Sequence, residues 1–182
     1  QWADAYTLYH RPASRFVAGF IGHGVLAPAR IIAGPEGTTV QTPLGTVHVL
    51  ASHPTPPVFD GPEDRNGARN HDEIRLWSEY LSADAPWLCD DAGRCGGLEP
   101  GARFVVLGDL NNDPLDGDGR HGAIADLLAH PRVLPAPAPA SEGARHASGA
   151  DAPGKRGDAA HATGDFGPGV GPLRLDYVLP ST

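Results

Sequence analysis

The chain has 182 residues, with 24 glycines and 19 prolines, and its formal net charge is −8, from 14 Lys and Arg against 22 Asp and Glu. The glycines and prolines have no fixed period, which excludes a collagen-like repeat, and the lack of any run of 18 apolar residues predicts no membrane span. The acidic balance argues against binding of nucleic acid by the whole surface, although it leaves a local site open. The length suits one domain, and 40% hydrophobic residues suffice for a core.

Two cysteines, Cys89 and Cys95, are too few for a zinc site, which needs about four ligands. They either close a small loop as a disulfide, which an extracytoplasmic location would allow, or stay as two free thiols in a loop. The sequence alone favours neither alternative.

Four segments have the pattern of strands, at residues 38–42, 46–50, 104–107 and 173–179. The first two flank a short Pro-Leu-Gly link and are predicted to form a hairpin. The third is a continuous apolar run, which is typical of a strand buried on both faces. The fourth alternates apolar and polar residues.

Residues 70–81 and 122–130 have helical periodicity. In the first segment Asp72 and Glu73 lie in the predicted first turn, where acidic side chains suit the helix dipole. The second segment ends before Pro131. The alternation of strands and helices predicts an α/β protein in which helices pack against a sheet.

Residues 135–172 are rich in Pro, Ala and Gly and have no apolar periodicity. A stretch of this length without a pattern is either a functional loop or a disordered segment. The first 35 residues show no recognisable chemistry, although residues 16–21 have the composition of a strand that nearby glycines interrupt.

Three polar groups follow or interrupt the predicted strands, at residues 52–57, 108–114 and 174–177. In open α/β sheets, ligands bind at such strand ends. Asp109 and Asn111 project to the same side if their strand continues, so they suit a hard cation or a phosphate. Taken alone, a local Asx-turn is the simpler explanation.

His53 directly follows the second predicted strand. Taken alone, it is most simply a surface or structural histidine. The prolines that follow it, Pro54, Pro56 and Pro57, stiffen the loop and would hold the ring in a defined place.

These segments, in this order, resemble a known superfamily. Val-Leu-Ala-Ser-His-Pro at 49–54, Val-Val-Leu-Gly-Asp-Leu-Asn at 105–111 and Leu-Asp-Tyr-Val-Leu at 175–179 resemble motifs of the endonuclease/exonuclease/phosphatase superfamily. Its members include DNase I-like nucleases, sphingomyelinases and inositol-phosphate phosphatases. The segment from His53 through residues 70–75 also resembles a bacterial, mostly extracytoplasmic branch of poorly defined substrate. The resemblance to the superfamily covers roughly residues 40–181, without the Pro/Ala/Gly-rich insert.

The resemblance implies hydrolysis of phosphoesters by water, on a DNase I-like two-sheet α/β sandwich. His53 would bind the scissile phosphate and assist proton transfer, Asp109 would orient the attacking water, Asn111 would bind the phosphate, and Asp176 would orient His53. Asp109 and Asn111 would also hold Mg²⁺, or Mn²⁺ or Ca²⁺ in its place. In-line attack on phosphorus requires such a cation and such donors, because charge builds on the non-bridging oxygens.

Two motifs of the superfamily have no match here, an early metal-binding Glu and a final Ser-Asp-His. We therefore expect an incomplete sandwich, which lacks the early strands and the last strand. In this description residues 1–39 are unmatched, and residues 40–182 form a partial domain with an insert at 135–172. The implied location is extracytoplasmic or secreted, and no protein partner is evident.

The polar loop at 60–66 is either a solvated turn or a substrate-facing loop. In the second case Arg65, Arg69 and Asn70 would contact the substrate phosphate. Nucleic acid, a lipid headgroup and a sugar phosphate all suit the same motifs, so the substrate stays open.

Two other functions stay open beside phosphoester hydrolysis. The chain could be a non-catalytic, truncated remnant of the same fold. It could also be an acidic calcium-binding surface module that uses Asp116 and Asp118, but not an EF-hand, because Pro114 occupies a position that requires glycine.

Overall fold

The computed structural model of the protein describes residues 29–34, 37–43, 45–82, 85–147, 149–150 and 154–182, so the strand-like segment at 16–21 lies outside the described residues. Two compact units divide the chain, Gln1–Val47 and His48–Thr182. Within the described residues the elements are, in chain order, β1 (Arg30–Gly34), β2 (Gly37–Thr42), β3 (Gly45–Ala51), α1 (Arg65–Leu81), β4 (Phe104–Asp109), α2 (Gly122–Leu128), α3 (Glu142–Arg145), a 3-10 helix (Ala159–His161), β5 (Gly164–Asp165), α4 (Gly167–Val170), β6 (Pro172–Leu173) and β7 (Asp176–Pro180).

In the first unit, β1 and β2 form an antiparallel pair, in register from Arg30 opposite Gln41 to Gly34 opposite Gly37. The sequence pattern does not predict strand β1. The two strands of the predicted hairpin are both present as β2 and β3. Strand β2 begins one residue before its predicted start, and β3 extends one residue beyond its predicted bounds at each end.

In the second unit, β4 lies between β3 and β7. It pairs in parallel with β3, with Ala51 opposite Leu107, and antiparallel with β7, with Asp109 opposite Asp176. The carboxyl ends of β3 and β4 and the start of β7 therefore meet at one edge of the sheet. The three polar groups predicted from the sequence lie at this edge.

One face of these strands is covered by α1 and α2. Phe104 and Val106 on β4 and Tyr177 and Leu179 on β7 point to this face and are buried. They pack with apolar residues of both helices and the connecting loops, namely Ile74, Leu81, Leu98, Leu110, Ala123, Ile124, Leu127 and Val133. The observed packing confirms the predicted α/β class, and it is compatible with the expected incomplete DNase I-like sandwich.

Helix α1 begins five residues before its predicted start. Its first turns are polar, so apolar periodicity does not mark them. The carboxylate of Asp60 accepts hydrogen bonds from the backbone N–H groups of Asn66 and Gly67, and these bonds satisfy donors that have no partner within a helix. Asp72 and Glu73 consequently lie in the helix interior, and their predicted place in the first turn is wrong.

The predicted final strand is broken into β6 and β7 by side chains that capture its backbone N–H groups. Arg174 donates its backbone N–H to the Asp113 carboxylate at 2.7 Å. Leu175 and Asp176 both donate theirs to the hydroxyl of Thr163 at 3.0 Å. A strand ladder cannot continue through donors that are already bound.

The insert at 135–172 contains α3, the 3-10 helix, β5 and α4 within its described residues. Ser141 donates its backbone N–H to the carbonyl of Ala160 at 2.8 Å, and the Lys155 ammonium donates to the carbonyl of Pro172 at 2.9 Å. The described part of the insert is therefore hydrogen-bonded structure, and the predicted alternative of disorder is wrong for it.

Cys89 and Cys95 form a disulfide, which decides the alternative that the sequence left open. The carboxylate of Asp90 accepts the backbone N–H groups of Ala92 and Arg94 inside the closed loop, both at 2.9 Å. Among the described residues, no helix combines the length and the apolar character that a membrane crossing requires.

Candidate active site

His53 and Asp109 lie side by side at the carboxyl edge of the sheet. The imidazole Nε2 of His53 is 3.8 Å from a carboxylate oxygen of Asp109, and their side chains are 72% and 38% exposed. Both groups can thus be reached from solvent. A basic ring and a carboxylate in this position can bind an anion and move a proton at the same place.

Gly108 makes this approach possible. Its φ is +145°, and a Cβ atom there would lie 1.9 Å from the carbonyl oxygen of Ser52. The backbone N–H of Ser52 donates to the carbonyl of Leu107 at 3.0 Å, which continues the β3–β4 pairing up to His53. Any side chain at 108 would push the two segments apart.

Asn111 forms the Asx-turn that the sequence analysis weighed against a binding role. Its backbone N–H donates to one carboxylate oxygen of Asp109 at 2.9 Å, and its φ of 52° is in the left-handed region. Its side-chain amide also donates to the carbonyl of Pro54 at 3.0 Å. The turn therefore fixes the Asp109 carboxylate and ties the end of β4 to the loop that carries His53.

Asp176 was expected to orient His53, but within the described residues the carboxylate at ion-pair distance from His53 is that of Asp109. Asp176 lies directly opposite Asp109 in the antiparallel β4–β7 pair. Residues that are paired in this way project from the same face of the sheet. The structure thus places Asp176 beside Asp109 and brings two acidic residues together at the strand ends.

Arg65 and Arg69 lie on the first turns of α1 with side chains that are 75% and 60% exposed. Arg65 is 4.0 Å from the carboxylate of Glu63, and Arg69 is 3.8 Å from that of Glu73. Exposed pairs of this kind are weak, so both guanidinium groups stay available to a substrate anion.

Asn70, which the sequence analysis expects to contact substrate, is fully buried in this structure. Its side-chain N–H₂ group donates to the carbonyls of Thr55 and Leu110, at 2.9 and 3.0 Å. Its amide oxygen accepts from the side chain of Asn112 at 2.7 Å. All three contacts are internal, so Asn70 joins the loop after His53 to the turn after Asp109.

Tyr177 holds the same region from β7. Its hydroxyl group donates toward the carbonyls of Asn112 and Arg174, at 2.9 and 2.8 Å. Burial raises the pKa of Tyr177 well above its usual value, so the phenol stays protonated and remains a donor. The guanidinium of Arg174 lies over the tyrosine ring, 4.5 Å from its centre.

The acidic run after β4 is used internally, which argues against the calcium-binding alternative. The buried carboxylate of Asp113 accepts three backbone N–H groups. Partial burial opposes ionisation of Asp116, but hydrogen bonds from the backbone of Gly157 and Arg156 outweigh it and lower the pKa of Asp116. Within the described residues, no group of three or more His, Cys, Asp or Glu side chains could hold a metal ion.

The oxygen atoms at the site nevertheless fit a hard cation of the magnesium type. Such an ion takes one or two protein carboxylates and completes its shell with water and substrate phosphate oxygens. Asp109 offers a carboxylate that is partly exposed, Asp176 lies beside it, and Asn111 carries an amide oxygen. These residues could hold an ion only together with water or substrate.

Sequence patterns did not identify three residues that organise this site, Thr55, Glu73 and Asn112. Glu73 accepts hydrogen bonds from Thr55, and Asn112 binds Asn70. The spacing of Asn70 and Glu73 does show that they share a helix face, but their partners are distant in sequence. No local pattern reveals such contacts.

Comparison with known proteins decides the family. The model of the endonuclease/exonuclease/phosphatase family matches residues 7–182. The chain belongs to this family. The enzymes named in this family hydrolyse phosphoester bonds, and the match confirms the family predicted from the three motifs. It begins upstream of residue 40, so it includes most of the stretch in which the sequence analysis found no motif.

No curated protein matches the chain. A solved structure, that of a β-hairpin deletion mutant of β toxin from Staphylococcus aureus, is similar over 80% of the chain, with 16% identity and a TM-score of 0.45. The similarity spans 42% of the toxin chain. The chain therefore corresponds to less than half the length of that protein.

Proposed function

We propose that the protein is a divalent-metal-dependent phosphoester hydrolase whose reaction takes place at His53 and Asp109. The observation that carries the proposal is the exposed pair they form at 3.8 Å, at the carboxyl edge of the sheet, in a chain of this family. The alternative of a non-catalytic remnant rests on the two superfamily motifs that have no match in the sequence, and it predicts no hydrolysis.

His53 is suited to bind the scissile phosphate and to transfer a proton, because its ring is open to solvent and adjoins a carboxylate. At 3.8 Å the two groups do not make a direct hydrogen bond. Catalytic hydrogen bonds are often long before substrate binds and shorten in the complex. Asp109 is suited to orient the attacking water at the same position.

Asn111 is suited to bind a non-bridging phosphate oxygen. Its side chain has two N–H bonds, and one of them is directed at Pro54. Arg65 and Arg69 add positive charge from α1 and would interact with more distant parts of an anionic substrate.

Asp109 and Asn111, with Asp176 opposite, are the residues that would hold Mg²⁺ or a similar ion. When bound, such an ion neutralises charge on the phosphate oxygens. Asp176 then contributes negative charge at the strand ends. Its position opposite Asp109 suits this role better than the predicted role of orienting the His53 ring.

We also infer that the protein is extracytoplasmic. The disulfide between Cys89 and Cys95 supports this location, because disulfides persist in oxidising compartments and are rare in the cytosol.

The proposal is tested by hydrolysis of bis(p-nitrophenyl) phosphate, a diester, and p-nitrophenyl phosphate, a monoester. We expect release of nitrophenol in Mg²⁺ and its loss in EDTA, and the ester that reacts distinguishes a nuclease-like from a phosphatase-like enzyme. Asp109→Ala is expected to lower kcat by about two orders of magnitude or more, since a proton-transfer or water-orienting group contributes this much.

The matched control is Asp118→Ala, which removes the same charge from an exposed position in the following loop. It should leave kcat unchanged. Turnover that is equal in wild type and Asp109→Ala, or that persists in EDTA, would contradict the proposal.

A further inference from the structure

All three polar groups of Thr55, two residues after His53, are bound by helix α1. The backbone N–H of Thr55 donates to one carboxylate oxygen of Glu73 at 2.6 Å, and its hydroxyl donates to the other at 3.2 Å. Its carbonyl accepts from the side chain of Asn70 at 2.9 Å. The loop that carries His53 is thus held at this residue through both its backbone and its side chain.

Asn70 and Glu73 can act together because residues three apart share one face of a helix. The orientation of the Asn70 amide is determined by its surroundings. Its nitrogen faces the carbonyls of Thr55 and Leu110, which only accept hydrogen bonds, so its oxygen must face Asn112. The same helix face therefore contacts the loop after β3 and the turn after β4, which carry the two halves of the candidate site.

Glu73 makes the stronger of the two contacts. A carboxylate that accepts a backbone N–H and a hydroxyl together makes charge-assisted hydrogen bonds, which are shorter and stronger than neutral ones. The guanidinium of Arg69 lies 3.8 Å from the same carboxylate. Glu73 is not among the predicted active-site residues. Its contacts hold the loop that follows His53.

We propose that Glu73 is a positioning residue that sets the location of His53 relative to Asp109 by binding Thr55. The inference rests on the proposed function, because the consequence of misplacing His53 is a loss of catalysis. Asn111 holds the segment at Pro54, and Glu73 holds it one residue further. Without Glu73 the segment keeps its contact at Pro54 and the bond from Asn70 to the Thr55 carbonyl, but it loses the two bonds that hold the backbone N–H and the hydroxyl of Thr55.

Glu73→Ala and Glu73→Gln test the proposal together. The glutamine can still accept the N–H of Thr55 with its oxygen and donate to the hydroxyl with its nitrogen, so it should rescue the contact. We expect Glu73→Ala to lower kcat by about 10- to 100-fold with KM changed less than about twofold, because small misplacements of a reacting group cost this much. Glu73→Gln should stay within about threefold of wild type.

Asp72→Ala is the matched control, since it removes an exposed acid from the neighbouring position of the same helix. It should leave kcat unchanged. Hydrogen exchange of the Thr55 amide supplies a readout that does not depend on activity. We expect at least about tenfold faster exchange in Glu73→Ala than in wild type, with little change in Glu73→Gln and Asp72→Ala.

An unchanged exchange rate of the Thr55 amide in Glu73→Ala would overturn the inference, whatever the activity. So would faster exchange with unchanged kcat, because the contact would then exist without a role in catalysis. A wild-type chain that hydrolyses neither ester would overturn the proposed function itself, and the exchange rates would still show whether Glu73 holds the loop.

Discussion

The contact between His53 and Asp109 depends on other residues nearby that position the two segments. Gly108 reacts with nothing, yet the lack of a side chain there lets Ser52 and the end of β4 meet. Asn111 places the Asp109 carboxylate through its backbone and holds Pro54 through its side chain. The site is built by hydrogen bonds between distant segments, since Asn111 and Pro54 are 57 residues apart in the chain.

Gly108→Ala is expected to lower the free energy of unfolding by about 2–4 kcal/mol, because the new methyl group would overlap the Ser52 carbonyl and because φ is positive. Urea titration measures the change. The control is Gly169→Ala, where a Cβ atom would meet nothing within 4 Å. A Gly108→Ala protein with the stability of wild type would show that the two segments can separate at little cost.

At this scale the sequence identifies the candidate catalytic residues near the strand ends, but it does not identify the residues that hold them in place. His53, Asp109 and Asn111 follow strand ends, and the structure brings them together. Asn70 was expected to bind substrate, but it is buried. Whether a polar residue on a helix faces solvent or a distant backbone carbonyl depends on tertiary packing, which local pattern does not contain.

Elements with apolar periodicity were predicted nearly to the residue. Strand β4 and helix α2 differ from their predicted bounds by about two residues at one end. Apolar residues that repeat with the period of a helix or strand must face the core, so the pattern reports packing directly.

Elements whose bounds are set by single side chains were predicted less well. The start of α1 depends on Asp60, and the break before β7 depends on Asp113 and Thr163. These three residues capture backbone N–H groups of another segment. The secondary structure of the insert at 135–172 was likewise not predicted, because its short elements are held by individual hydrogen bonds and not by an apolar face.

At the scale of the whole molecule, the acidic composition argues against binding of nucleic acid by the whole surface, but it does not indicate how stability depends on pH. The structure identifies His130 as one determinant. The backbone N–H of Arg132 donates to Nδ1 of His130 at 3.2 Å, which requires an unprotonated nitrogen. Burial, and then the charge of Arg132, lower the pKa of His130 from its usual 6.5.

The unfolded chain therefore takes up a proton on His130 at a pH where the folded chain does not. The contribution of neutral His130 to the free energy of unfolding is present above pH 6.5 and is lost as the pH falls below that value. We expect the urea midpoint of wild type to decrease between about pH 7.5 and 5.5, and that of His130→Gln to decrease less. His146→Gln, at an exposed position, is the control. Equal slopes for His130→Gln and wild type would contradict this prediction.

The central claim, that His53 and Asp109 act as one catalytic unit, is tested most directly by a double-mutant cycle on kcat/KM for the ester that wild type hydrolyses in Mg²⁺. The chains compared are wild type, His53→Ala, Asp109→Ala and the double variant. Removal of either member of a unit costs nearly as much as removal of both. We predict that the double variant is within about fivefold of the slower single variant. Losses that multiply, so that the double variant equals the product of the two single effects, would show that the residues act independently and would contradict the account.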